Sequence, residues 1–208
     1  MSLGSYVGAL KQNIMARQYN QIVKLTGTLG GLSFYHSSLD GFLVRQKSSL
    51  DSARVRRDPA FIRTRENASE FGNAVKAGTL LRRALRQALP LARDGRLNAR
   101  MNRLMMRAKD FDVVNNRGER RAGEGFRHAE AVELLHGFEF NSRASLEQVL
   151  LRSFDTDPEG GIIRISGFQP ATQIKWPADA THCSFEEILT HVHFDTEKSV
   201  TEFSEAAS

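Results

Sequence analysis

Cysteine is nearly absent from this chain: among 208 residues there is one, Cys183. An internal disulfide and a thiolate-cluster metal site both need more than one, so both are excluded. No run of 18 apolar residues occurs, and no segment reads as a membrane-spanning helix. The opening MSLGSYVGALKQNI lacks the basic stretch and long apolar stretch of a secretory signal, which makes a cytoplasmic home the expectation. Acidic residues are scarce in one part of the chain and basic ones in the other. Residues 1 to 127 hold 24 basic and 10 acidic side chains, a net +14; residues 128 to 208 hold 5 and 14, a net −9. Such asymmetry points to nucleic acid, to an acidic partner, or to the chain's own acidic part.

What is present starts with the stretch 54 to 89. Asp58 before Pro59 reads as an N-cap followed by the first helical residue, because proline lacks only an N–H that would go unpaired there. Ile62, Phe71, Val75, Gly78, Leu81, Leu85 and Leu89 then recur at helical spacing. Ala68, Gly72, Ala74, Ala77 and Gly78 are small, so something is expected to pack close. Arg82, Arg83 and Arg86 lie on the remainder. A second helix is expected over 97 to 114, with Leu97, Met101, Leu104, Met105, Ala108 and Phe111 apolar and Arg100, Arg103 and Arg107 in a ridge.

Before these helices, residues 1 to 14 read as an extension, and 22 to 45 as a three-strand meander turning at Gly27–Gly31 and Ser37–Gly41. The three glycines are not a phosphate loop, since no GxxxxGK[ST] is present and a strand follows. Ser48 to Arg57 reads as a polar connector. Pro90 is expected to disturb the long helix's end. Asn115 to Arg127, with Arg117, Arg120 and Arg121, reads as a mobile loop. After a short helix at 129 to 135, strands are expected at 138–141, 146–153, 162–168, 172–176 and within 181–194, with a turn at 155–161 and a disordered acidic tail from about 197. The fold class is α+β: an N-terminal β-meander, two long antiparallel basic helices, and a C-terminal antiparallel sheet or small sandwich. The expected divisions are 1–14, 15–127, 128–196 and 197–208.

The pattern KLTGTLGGLSFYHSSLDGFLVR, then RRDPAFIRTRENASEFGNAVKAGTLLRRAL, resembles a family of uncharacterised bacterial proteins. They share the blocks G-T-x-G-G-x-x-F-Y, D-P-A-F-x-R-T-R-E-N and E-F-G, and the likeness runs from Met15 to Phe194. No activity attaches to that family, so the resemblance implies no catalytic residues. It does imply that residues 1 to 14 are additional to the common body.

Few constellations suggest chemistry. His191, His193 and Asp195 would share one face of a strand, a workable arrangement for zinc. Thr196 stands where the metallo-β-lactamase motif has a further histidine, and no histidine follows; a polar strand face is the better reading. His182 beside Cys183 would point the opposite way on a strand, so the pair is no dyad; His36 and His128 are the other bases in the chain that could approach. Glu66 and Glu70 read as surface ion pairs with neighbouring arginines. Phe34 and Tyr35 read as core aromatics, with base stacking as the alternative.

No catalytic residue, cofactor or metal ligand is expected. The leading expectation is a non-enzymatic assembly protein that forms homo-oligomers between its basic helical and acidic β parts, meeting through the small-residue face at Gly72, Ala74 and Gly78. The alternative is nucleic-acid binding through Arg82, Arg83, Arg86, Arg100, Arg103, Arg107, Arg117, Arg120 and Arg121.

Overall fold

The computed structural model describes residues 15–17, 24–47, 51–157, 160 and 162–204. The expected extension at 1–14 lies outside them, as do the start of the first expected strand and the last four residues. The chain is α+β and divides into two compact units, 1–57 and 58–208.

The first unit is an antiparallel sheet of order β1-β4-β3-β2: β1 (Met15–Arg17), β2 (Gly27–Leu29), β3 (Leu32–Ser37) and β4 (Gly41–Gln46). The expected strands at 32–35 and 42–45 are there. The segment expected as their leader is not: 24–26 forms no strand, and β2 occupies part of the expected turn. The turn itself contracts to Gly30-Gly31. Gly30 sits at φ 58°, the left-handed region that two-residue hairpins require and glycine enters freely. β1 adds a strand on the far side of β4, pairing Met15 with Arg45 and Ala16 with Val44. The polar connector is in part helical, as α1 (Ser52–Arg57).

The second unit is built around α2 (Ile62–Ala84). Asp58 caps the 3₁₀ turn at Pro59–Phe61 that leads into it: the carboxylate accepts the Ala60 N–H at 2.9 Å. Pro90 lies inside the first turn of a further short helix, α3 (Leu89–Ala92), where a missing N–H does no harm. α4 (Leu97–Ala108) runs into a 3₁₀ turn at Lys109–Phe111 and buries Leu97, Met101, Leu104, Met105 and Ala108. These pack with Ala74, Leu89 and Ala122 to form the core, flanked by Phe126, Phe138 and Phe140. On α2 the large apolar residues Ile62 and Phe71 are about half exposed. The buried stripe is Glu70, Ala74 and Gly78, one turn apart, with Leu80.

Residues 112–121 are irregular, as a loop is, and are held at the buried Asp112 and Gly118 while Val113, Val114 and Arg117 are exposed. Arg121 gives its N–H to Asp112 at 2.8 Å, and α5 (Ala122–Gly125) lies on α4. α6 (Ala129–Val132) agrees with the expected short helix. Beyond it the strand expectation fails in part. Residues 138–141 form no strand, and 146–153 and 172–176 hold no strand either: the one-turn helices α7 (Leu146–Val149) and α8 (Pro170–Gln173) take up part of each. A single bridge, Leu150 with Ile174, joins them. The sheet structure is two separate hairpins: β5 (Asp155–Asp157) with β6 (Ile162–Arg164), and β7 (Ile188–His193) with β8 (Lys198–Phe203). The boundary expected at 127/128 therefore falls inside one unit, and 198–203 is a strand, not a tail.

β8 also closes the end of α2. Thr201 donates its hydroxyl to the Ala84 carbonyl at 2.9 Å, one of the last carbonyls of that helix, which have no partner within it. Thr201→Val is expected to lower stability by about 1 kcal/mol, read as a reduced urea midpoint at unchanged slope.

Candidate functional site

In the N-terminal sheet the register sorts the side chains by face, because directly paired residues of an antiparallel sheet point the same way. Leu32 opposite Leu29 and Gln46, Phe34 opposite Gly27 and Val44, and His36 opposite Phe42 make one face. The other carries Thr28, Ser33, Tyr35, Leu43 and Arg45. The first face is mainly apolar, with Phe34, Phe42 and Val44 half-buried and His36 and Gln46 as its polar positions. His36 lies against the Phe42 ring at 4.8 Å between centroids. On the second face the Arg45 guanidinium stands over Tyr35, 5.5 Å from the ring centre. Among the described residues of this unit none is buried, and Leu29 is 71% exposed. Tyr35, expected in a core, is on the charged face.

In the second unit the expected arginine ridge is divided: Arg100 is engaged within the chain, whereas Arg103 and Arg107 are exposed. Glu70, 1% exposed, accepts from Lys109 Nζ at 2.7 Å, from Arg120 at 2.7 and 3.0 Å, and from the Gly118 N–H at 2.9 Å. Its carboxyl is lowered to about 2: the Arg120 bonds lead, burial opposes, and Lys109 and Gly118 add to the lowering. Glu70 is thus a buried anchor that ties the segment after α4 onto α2, not a surface partner. Asp110, largely exposed, also meets Lys109 at 2.7 Å. Glu66 pairs with Arg63 and with Arg117. Asp112 is buried, which opposes ionisation, yet the Asn115 N–H and amide and the Arg121 and Val114 N–H groups together hold its carboxyl below the ordinary range.

A second clamp joins the turn before α4 to the segment after α6. Asp94 accepts from the Ser142 hydroxyl at 2.7 Å and N–H at 3.0 Å, and from Arg100 at 2.7 Å. The Ser142 hydroxyl is the largest influence on the Asp94 carboxyl; burial works against it, but with the Ser142 N–H, Arg100 and the Arg96 N–H it prevails and holds the group well below its usual value. Arg100 Nη2 donates to the carbonyls of Glu139 and Phe140.

Of the nine arginines, Arg100, Arg117 and Arg120 are therefore engaged within the chain. Arg82 packs beside Gly78, its Nη1 buried and its guanidinium pKa lowered by desolvation. Arg83, Arg86, Arg103, Arg107 and Arg121 are exposed. Only Arg83 and Arg121 among the nine share a cleft of about 450 Å³, which Lys76, Phe194 and Glu197 also line.

The small-residue face serves the chain itself. Ala74 is fully buried, and a Cβ on Gly78 would stand 3.2 Å from Met101 and Asn102 of α4. Both are spent on helix packing and are not free for a neighbour; only Gly72 has open space around it. His191 and His193 are exposed on the outer face of β7, while Asp195 lies past its end, bonded to Arg127 at 3.2 Å. Among the described residues no three histidine, cysteine or acidic groups converge as a metal site. His182 Nδ1 is 2.8 Å from the Thr181 hydroxyl, and Cys183 is half-buried. No helix among the described residues is long and apolar enough to cross a membrane.

No family model, curated protein or solved structure matches this chain. Two groups of residues matter that the sequence patterns did not single out. Glu70 stands one and two turns before Ala74 and Gly78, a signal that it shares their buried face. The faces of the N-terminal sheet needed the pairing register to be told apart.

Proposed function

We propose that this protein is a non-enzymatic structural protein that associates with itself. One observation supports the reading most: a four-stranded sheet with an apolar face in which no described residue is buried. Sheets of this kind gain their stability by packing one face against another layer, and a large exposed apolar patch marks a contact surface. Leu189 and Val200 on the β7–β8 hairpin and Ile162 and Ile163 on β6 stand outward as well. Opposite charge has a lesser part, because Arg127–Asp195 already pairs the basic and acidic parts within the chain. Charge then tunes register and rate more than affinity.

Size-exclusion chromatography with light scattering, with absorbance recorded at two wavelengths, tests this. The expected result is a nucleic-acid-free species at a multiple of 23.3 kDa that survives moderate salt. A monomer that carries nucleic acid and releases it as salt rises would favour the arginine reading instead.

A further inference from the structure

We propose that the cleft between α2, α5 and the β7–β8 turn binds a small organic phosphomonoester, at a site independent of self-association. Lys76, Leu80 and Arg83 follow one another at helical spacing on one face of α2 and form the first wall. Arg121 and Gly123, at the start of α5, form the second, and Phe194 and Glu197 the third. At about 450 Å³ the cleft has the size of a small-molecule site.

The charges select the ligand. Lys76, Arg83 and Arg121 all line the cleft, and among the described residues no ion pair engages any of them. That sets them apart from Arg100, Arg117 and Arg120, each held by a carboxylate of the chain. Asp195 and Glu197 line the cleft too, but Asp195 already pairs with Arg127 at 3.2 Å, which leaves Glu197 alone to oppose three cations. The balance is an excess of two positive charges, and a phosphomonoester carries close to two negative ones at neutral pH. Its oxygens also suit the paired donors that each of the two guanidinium groups presents. The rest of the lining is apolar. Leu80 is 4% exposed, and the Phe194 ring stacks on Phe126 at 5.5 Å between centroids. An inorganic ion would leave that side unused, so the phosphate is expected to carry an organic body.

A nucleic-acid strand offers similar oxygens, so the test compares three probes on the full chain: phenyl phosphate, inorganic phosphate and an oligothymidine strand. Binding is followed by ¹H–¹⁵N chemical-shift titration at low salt. Phenyl phosphate is expected to bind with a Kd of about 1 mM or tighter, and inorganic phosphate at least ~5-fold more weakly. Arg83→Gln and Arg121→Gln, both at exposed positions, should each weaken phenyl phosphate by at least ~5-fold. Glu197→Gln should tighten it by about 2-fold or more, because a like charge is removed. Arg103→Gln, exposed on α4 and outside the cleft, should leave it unchanged. No saturation by phenyl phosphate up to about 10 mM would overturn the site, as would equal losses in Arg103→Gln and Arg83→Gln. Inorganic phosphate bound as tightly as phenyl phosphate would reduce the cleft to an unspecific anion patch and overturn the proposal. Tighter binding of the strand, weakened as much by Arg103→Gln as by Arg83→Gln, would assign these cations to nucleic acid instead.

Discussion

Glu70→Ala is expected to destabilise the larger unit by about 3–5 kcal/mol, a fall in melting temperature on the order of 10 °C. The size follows from what is left behind. Lys109, 6% exposed, would keep only Asp110 as a charged partner, and the Gly118 N–H and the Arg120 guanidinium would lose their shared acceptor. A buried charge stripped of its partner costs far more than the pair itself contributes. Replacing Glu70 and Lys109 together by methionine is therefore expected to recover much of the loss. Acid should reveal the same group. Because the Glu70 carboxyl is lowered from 4.5 to about 2 on folding, its contribution is complete above pH 4.5 and is lost as pH falls toward 2. The stability gap between wild type and Glu70→Gln should narrow over that window, as read by urea unfolding at stepped pH. A gap unchanged from pH 6 to pH 2 would mean that Glu70 is not the anchor.

Gly125→Ala has the other large expected effect. A Cβ there would lie 1.9 Å from the Ala108 carbonyl oxygen and 2.7 Å from its carbon, both backbone atoms at the end of α4. No rotamer change relieves that contact, so α5 must move off α4. A loss of about 3 kcal/mol is expected, at the upper end of ordinary overpacking. Gly72→Ala is the contrasting case. It lies in the same unit within α2 with open space around it, and should raise stability by up to about 1 kcal/mol through helix propensity. Equal effects from the two substitutions would contradict the packing described.

The residues that could be read in advance were those whose periodicity and packing agree. In α4 the 3.6-residue stripe of Leu97, Met101, Leu104, Met105 and Ala108 is also the buried stripe. In α2 the two diverge: Ile62 and Phe71 are the conspicuous apolar residues, but close approach of α4 selects the small face, and Glu70 goes in with it. Hydrophobic pattern alone does not show that a glutamate is buried, because its partners Lys109 and Arg120 are 39 and 50 residues away. The C-terminal segments misled for a local reason. Ser145 and Pro170 start one-turn helices where short apolar runs suggested strands. β8 was missed because its six residues, KSVTEF, look like part of an acidic tail until β7 pairs with them. The face shared by β3 and β4 could not be read from Phe42-Leu43-Val44, where apolar residues are consecutive, and which residues of β2 joined it depended on the two-residue turn at Gly30-Gly31.

Sedimentation velocity on wild type and Val44→Asp, side by side from about 1 to 100 μM, tests the central claim most directly, since self-association of micromolar affinity dissociates in that range. The wild type is expected to rise above the 23.3 kDa monomer as concentration increases. Val44→Asp, with a charge set in the apolar face and its circular dichroism unchanged, is expected to shift less at every step. A wild type that remains a single 23.3 kDa species throughout would contradict the account.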